Sequence, residues 1–135
     1  MYVLQRILSS LKAFRVGIEN ILMWFPVIWR DRQFDYAYLE YLLLYKMELM
    51  YDHFTDPDKS MVDWEQENSG RALQALRICI TILERRRDDF YTNCIWDSKD
   101  EELTDDVMVC LHKIERRDWK ILHKLLEQYS EFWWD

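Results

Sequence analysis

Apolar side chains recur at Leu4, Ile7, Leu8, Leu11, Phe14, Ile18, Ile21, Leu22 and Phe25, with Arg6, Lys12, Arg15 and Glu19 on the other side. Steps of three and four sustained over this length predict an amphipathic helix. Pro26 has no amide hydrogen and its ring crowds the preceding turn, so it is expected to end or kink that helix. Val27 to Phe34 reads as an irregular link. A second helix is expected from Asp35, a good N-cap residue, to about Phe54. Its apolar residues form two stripes, Tyr36-Leu39-Leu43-Met47-Met50-Phe54 and Tyr38-Leu42-Tyr45-Leu49. A helix apolar on two faces belongs at the centre of a bundle, or is shared between a core and an interface.

Thr55-Asp56-Pro57-Asp58 is a turn by composition. Ser60-x-x-Asp63 resembles a capping box and predicts a third helix reaching about Tyr91. Its seam is Val62, Ser69, Leu73, Leu76, Ile80, Leu83, Arg87 and Phe90. A polar link over 92–99 and a second capping pattern, Ser98-x-x-Glu101, introduce a fourth helix running nearly to Trp133. Its seam is Val107, Leu111, Ile114, Asp118, Ile121, Leu125, Tyr129 and Phe132. The matched spacings predict an antiparallel pair. A turn between residues 92 and 103 would make facing residue numbers add to roughly 195, which sets Asp118 near Arg77. Asp118 is the one charge in mid-seam, so burial would oblige it to find a partner, and Arg77 is the expected one. The expected architecture is all-α: a four-helix bundle-like single domain, 1–135, with a long antiparallel C-terminal helix pair.

Composition supports that reading. Two glycines and two prolines in 135 residues leave little turn chemistry for a sheet protein. Half the residues are apolar and 21 are aromatic, enough for a core with some aromatic surface left over. The aromatic C-terminus, Tyr129, Phe132, Trp133 and Trp134, cannot all face one core. Phe132, Trp133 and Trp134 are therefore expected at an interface in a homo-oligomer, together with the second stripe of the second helix.

Charge narrows the partners. The net charge is −7, which disfavours stable nucleic-acid binding. Residues 1–34 are an exception, with five basic and two acidic side chains. Three cysteines without C-x-x-C spacing fit neither a disulfide framework nor a zinc knuckle, and Cys79 and Cys110 sit among apolar neighbours in sequence. The longest apolar run, Ile21 to Trp29, has nine residues against the about 20 a membrane span requires. No secretory signal is visible. A cytoplasmic protein is expected.

Catalytic chemistry finds no support. Gly17 and Gly70 are too far apart in sequence to form a phosphate-cradling loop, and no serine lies in a G-x-S-x-G elbow. Asp88-Asp89 and Asp105-Asp106 sit where solvated or helix-end charge is the ordinary explanation. His112-x-x-Glu115 and His53-x-x-Asp56 have helical ligand spacing but no third ligand nearby in sequence, so neither metal nor cofactor is expected. Arg85-Arg86-Arg87 suits a helix C-terminus and is expected to pair within the chain, with an anion-binding patch as the weaker alternative. The most unusual stretch is Trp24-Phe25-Pro26-Val27-Ile28-Trp29-Arg30-Asp31-Arg32. It could close the end of the bundle, lie at a membrane interface, or stack a base and hold a phosphate. A small anionic ligand would be held by Trp29, Arg30 and Arg32, with Arg15 as an outer contributor.

The pattern Glu-Asn-Ile-x-x-Trp-Phe-Pro-Val-Ile-Trp-x-Asp-Arg-x-x-Asp-x-x-Tyr-Leu, within Glu19–Met50, resembles a group of small tailed-phage proteins. These carry a Trp-Phe-x-x-Ile-Trp-x-Asp-Arg segment before a Tyr/Leu-rich helix. A second block, Arg71 to Tyr91, resembles their Arg/Ala-Leu helix ending in acidic residues and Tyr. The resemblance implies a phage accessory gene and carries no activity or site residue with it. On that basis the chain is expected to be a non-enzymatic protein of the infected cell, acting by occupancy as a host-defence antagonist. Its partner would be a host protein or a sequestered nucleotide signal. The competing expectation is a virion or assembly component.

Overall fold

A computed structural model describes residues 2–31, 35–64, 67–97 and 105–133. The described residues form five α-helices and one 3-10 turn, with no strand among them. The helices are α1 (Tyr2–Ile28), α2 (Ala37–Thr55), α3 (Glu67–Arg87), α4 (Phe90–Asp97) and α5 (Asp105–Tyr129), and the 3-10 turn is Ser130–Phe132. The all-α class follows. The chain divides into two compact units, Met1–Tyr38 and Leu39–Asp135, where the sequence reading has one domain.

The first unit is dominated by α1. Pro26 lies inside the helix, which runs on to Ile28 instead of stopping. Trp29 N–H still bonds to the Phe25 carbonyl at 2.9 Å, so the backbone turn is carried past the proline. Val27 is buried and Trp24 half-buried, yet the face made by Ile7, Leu11, Phe14, Ile21 and Phe25 is more than half exposed.

The second unit holds the core. Leu44, Met47 and Phe54 of α2 meet Ala72, Ala75, Leu76, Cys79, Ile82 and Leu83 of α3 and Leu122 of α5. Leu43, Met50 and Tyr51 pack against the same cluster, so the first stripe of α2 is absorbed from Leu43 to Phe54, while Leu42, Tyr45 and Leu49 of the second stripe are not part of that cluster. The start of α2 is capped as expected: the Asp35 carboxylate accepts the Ala37 N–H at 3.0 Å.

Two boundaries differ from the sequence expectation. Ser60 does not cap a helix: its hydroxyl oxygen accepts the Trp64 indole N–H at 2.8 Å, and α3 begins only at Glu67. Trp64 in turn stacks on Phe54 at 4.3 Å, so the segment is held by ring packing. The third helix also stops at Arg87, because Asp89 adopts a left-handed backbone (φ 50°), and the shorter α4 follows. Asp is one of the few non-glycine residues that visit this conformation readily, so no glycine marks the break. The proposed cap at Ser98 and Glu101 lies outside the described residues.

The expected antiparallel pairing of the third and last helices is present, in a shifted register. Trp133 meets Ala72, Asp118 meets Arg85 and Glu115 meets Arg86, so facing numbers add to 201–205. Arg86 ties three helices together. Its guanidinium donates to both Glu40 carboxylate oxygens at 2.7 and 3.0 Å and to Glu115 at 3.1 Å, and it lies 4.4 Å over the Trp119 ring. Such a bidentate, largely desolvated arrangement favours one register over its neighbours.

Candidate functional site

Along α3, Gln74, Arg77, Ile78, Thr81, Ile82 and Arg85 fall at steps of three and four and therefore share a face. Arg117, Asp118 and Ile121 of α5 stand opposite, and together they enclose an open groove of about 480 Å³. Its walls are isoleucine, and its polar atoms come from three arginines, one buried aspartate and the uncharged Gln74 and Thr81.

Asp118 organises the groove. It is 2% exposed, and the pairing expected with Arg77 is not made. Its partners are Tyr91 O–H at 2.7 Å, Arg85 Nη1 at 3.2 Å and Arg117 Nη2 at 3.2 Å. The register shift is the cause: it carries Asp118 two helical turns along α3, from Arg77 to Arg85. Burial pushes the Asp118 carboxyl up, but the hydrogen bonds from Tyr91, Arg117 and Arg85 outweigh it and hold the group below its usual range. Burial, with the hydrogen bond to that carboxylate, pushes the Tyr91 phenol up to about 12.

Tyr91→Phe should therefore destabilise the fold by about 2 kcal/mol at neutral pH, the usual worth of a hydrogen bond to a charged group. The folded-state pKa is raised, so the stability it adds is full below the ordinary tyrosine value of 10.0 and lost as pH rises to about 12. Urea unfolding of wild type and Tyr91→Phe should show the gap closing across that alkaline window.

Arg77 completes the groove differently. Its backbone carbonyl accepts the Thr81 hydroxyl at 3.0 Å, but its guanidinium has no hydrogen bond or ion pair among the described residues. Arg85 and Arg117 each spend one edge on Asp118 and are 42% and 65% exposed, so both keep donors facing the groove. Three guanidinium groups against one carboxylate leave the groove positive on a protein of net charge −7.

The site expected at the end of the first helix is not assembled in this way. Trp29 is 76% exposed and rests on Phe25 at 5.3 Å, and Arg30 is exposed. Arg32 lies outside the described residues. Arg15 is bound to Glu19 at 2.8 Å and precedes Trp29 by about 21 Å of helix, too far to share a small ligand with it. The expected interface residues separate as well. Trp133 is buried within its own chain, its indole N–H donating to the Ala72 carbonyl at 2.8 Å, while Phe132 is 55% exposed. Trp134 lies outside the described residues.

Among the described residues no group of three or more His, Cys, Asp or Glu side chains could hold a metal ion, and no helix is long and apolar enough to cross a membrane. Cys79 is buried as expected, and burial pushes its thiol up to about 11, while Cys110 is exposed, contrary to its apolar sequence context. Sequence reasoning missed Arg117 and Tyr91, and weighed Arg85 only within an Arg85-Arg86-Arg87 anion-binding patch. The Arg77-Thr81-Arg85 spacing was the available signal, since it places two cations on one stripe. Comparison with protein-family models, curated proteins and solved structures finds no match for this chain.

Proposed function

We propose that this is a non-enzymatic binding protein that acts by occupancy, holding a small phosphate-bearing molecule in the groove between α3 and α5. The observation that carries the reading is Arg77, an arginine with no intramolecular partner among the described residues, beside two arginines already oriented by a buried aspartate. Guanidinium groups match phosphate oxygens in pairs, and orientation by Asp118 lowers the entropy lost when a ligand arrives. The groove volume lies within the range of small-molecule sites, about 300–1,000 Å³. Its walls are Ile78, Ile82 and Ile121 without an aromatic ring, so recognition rests on the anionic group, with the remainder of the ligand against aliphatic surface. Together with the phage resemblance, this favours sequestration of a nucleotide signal in the infected cell over occupation of a host protein. It also relocates the ligand from Trp29 and Arg30 to Arg77, Arg85 and Arg117.

Titration calorimetry with nucleoside phosphates, the matching nucleosides and inorganic phosphate tests the reading. Phosphorylated ligands should bind and nucleosides should not. Arg77→Ala should weaken binding about 10- to 100-fold, as expected for a lost charge-assisted contact of roughly 1.5–3 kcal/mol. Its melting temperature should match wild type, because the guanidinium supports nothing else described in the fold. No binding by any phosphorylated compound would reject the reading.

A further inference from the structure

The exposed face of α1 has a repeat that the packing within its own unit does not use. Ile7, Leu11, Phe14, Ile18, Ile21, Phe25 and Ile28 alternate steps of four and three without a break. Every one is an apolar residue 43–68% exposed. A strict 3.5-residue repeat is the pattern of helices that supercoil around one another, because it keeps the same seam turned to the partner over successive turns. A helix that only rests on an apolar surface needs an arc of the right width and no such alternation.

Local shape agrees. A shallow depression on α1 is lined by Ile7, Ser10, Leu11 and Phe14, with Arg6 at its edge. Residues i, i+3, i+4 and i+7 are the four that frame a hole for the knob of a facing helix. Ser10 keeps one flank of the seam low. The next small residue on that flank, Gly17, has nothing within 4 Å of where a Cβ would stand. The other flank carries Leu8 and Leu22, themselves 59% and 69% exposed, on either side of Arg15, which widens the apolar stripe at both ends beyond a two-helix seam.

We infer that the seam of α1 is covered by α1 of other copies of this chain, in a bundle of more than two helices. At on the order of 100 Å² per side chain, the seven seam residues offer about 700 Å² per copy, close to the roughly 800 Å² per partner of a standard interface. The seam composition points the same way: one core position holds Leu11, Ile18 and Phe25 and the other Ile7, Phe14, Ile21 and Ile28, and isoleucine predominating at the second favours three or four strands over two. Charge argues against an anionic lipid surface as the occupant. Arg6, Lys12 and Arg15 are the only cations in the helix, and Arg15 is bound to Glu19. The remainder of an acidic chain would be repelled by such a surface. Homo-oligomerisation was expected from α2 and the aromatic C-terminus; α1 is the element that carries it here.

Light scattering on the full chain at micromolar concentration tests the inference, with a subunit mass of 16.8 kDa as reference. Wild type should run at three or four subunit masses. The double variant Leu11→Glu/Ile18→Glu should fall to one subunit mass while keeping the near-ultraviolet circular dichroism of the Leu39–Asp135 core. Ala13→Glu, on the opposite side of the helix, should keep the wild-type mass. A monomeric wild type overturns the inference, as does a double variant that stays assembled. A monomeric wild type that sediments with phosphatidylglycerol-containing vesicles would assign the seam to lipid instead.

Discussion

Replacing Trp133 with alanine should destabilise the protein by about 3–5 kcal/mol, the usual cost of emptying a buried aromatic position. The ring is 9% exposed and belongs to the core cluster that Leu76, Cys79 and Leu122 share. Its loss also leaves the Ala72 carbonyl, deep in α3, without the indole donor that reaches it at 2.8 Å. At roughly 3–5 °C per kcal/mol for a chain of this size, the melting temperature should drop by on the order of 10–20 °C. Trp133→Phe separates the two contributions: it keeps most of the packing and loses the donor, and should cost only about 1–2 kcal/mol. Thermal unfolding and light scattering on the same samples check the assignment. A residue in the core changes stability without changing subunit mass. An altered mass at unchanged stability would return Trp133 to an intermolecular surface.

Asp118→Ala should be nearly as damaging, by about 3 kcal/mol, at the lower end of the range for breaking a buried charge pair. The lower end applies because Arg85 and Arg117 are 42% and 65% exposed and can turn to water, whereas Tyr91 is buried and keeps an unsatisfied hydroxyl. Asp118→Asn should fall between wild type and alanine, since a carbonyl oxygen still accepts from Tyr91. The folded-state pKa of Asp118 is depressed. Its contribution is therefore present above the ordinary carboxylate value of 3.8 and lost as pH falls through the lower folded value. Denaturant titrations should show the wild type and Asp118→Ala converging in acid. Equal stability of the two proteins at pH 7 would refute the structural role of the carboxylate. Asp118→Ala should also release Arg85 and Arg117 from their fixed orientation, so phosphate binding should weaken even though removing one negative charge from the groove would by itself strengthen it.

Helix content and the order of the long helices were legible in the chain because they rest on local physics. Apolar steps of three and four, scarce glycine and proline, and the Asp35 cap each act within a few residues and need no knowledge of distant contacts. The same locality made Asp118 stand out, since one charge in an apolar seam demands a partner wherever the seam packs. The identity of that partner was settled by tertiary structure. Helix-helix register depends on how side chains far apart in sequence interlock, here Arg86 with Glu40, Glu115 and Trp119, and Trp133 with Ala72. Such contacts moved Asp118 from Arg77 to Arg85 and so left Arg77 facing an open groove. Boundaries were misread where a residue satisfied its needs outside the local pattern: Ser60 bonding Trp64, and Asp89 turning left-handed without glycine. The split between buried and exposed apolar faces was likewise invisible locally. The first helix and the third read alike as amphipathic, yet Leu76 is fully buried and Phe14 is 68% exposed. Periodicity states that a face is apolar, and only the packed chain states whether it has already been covered.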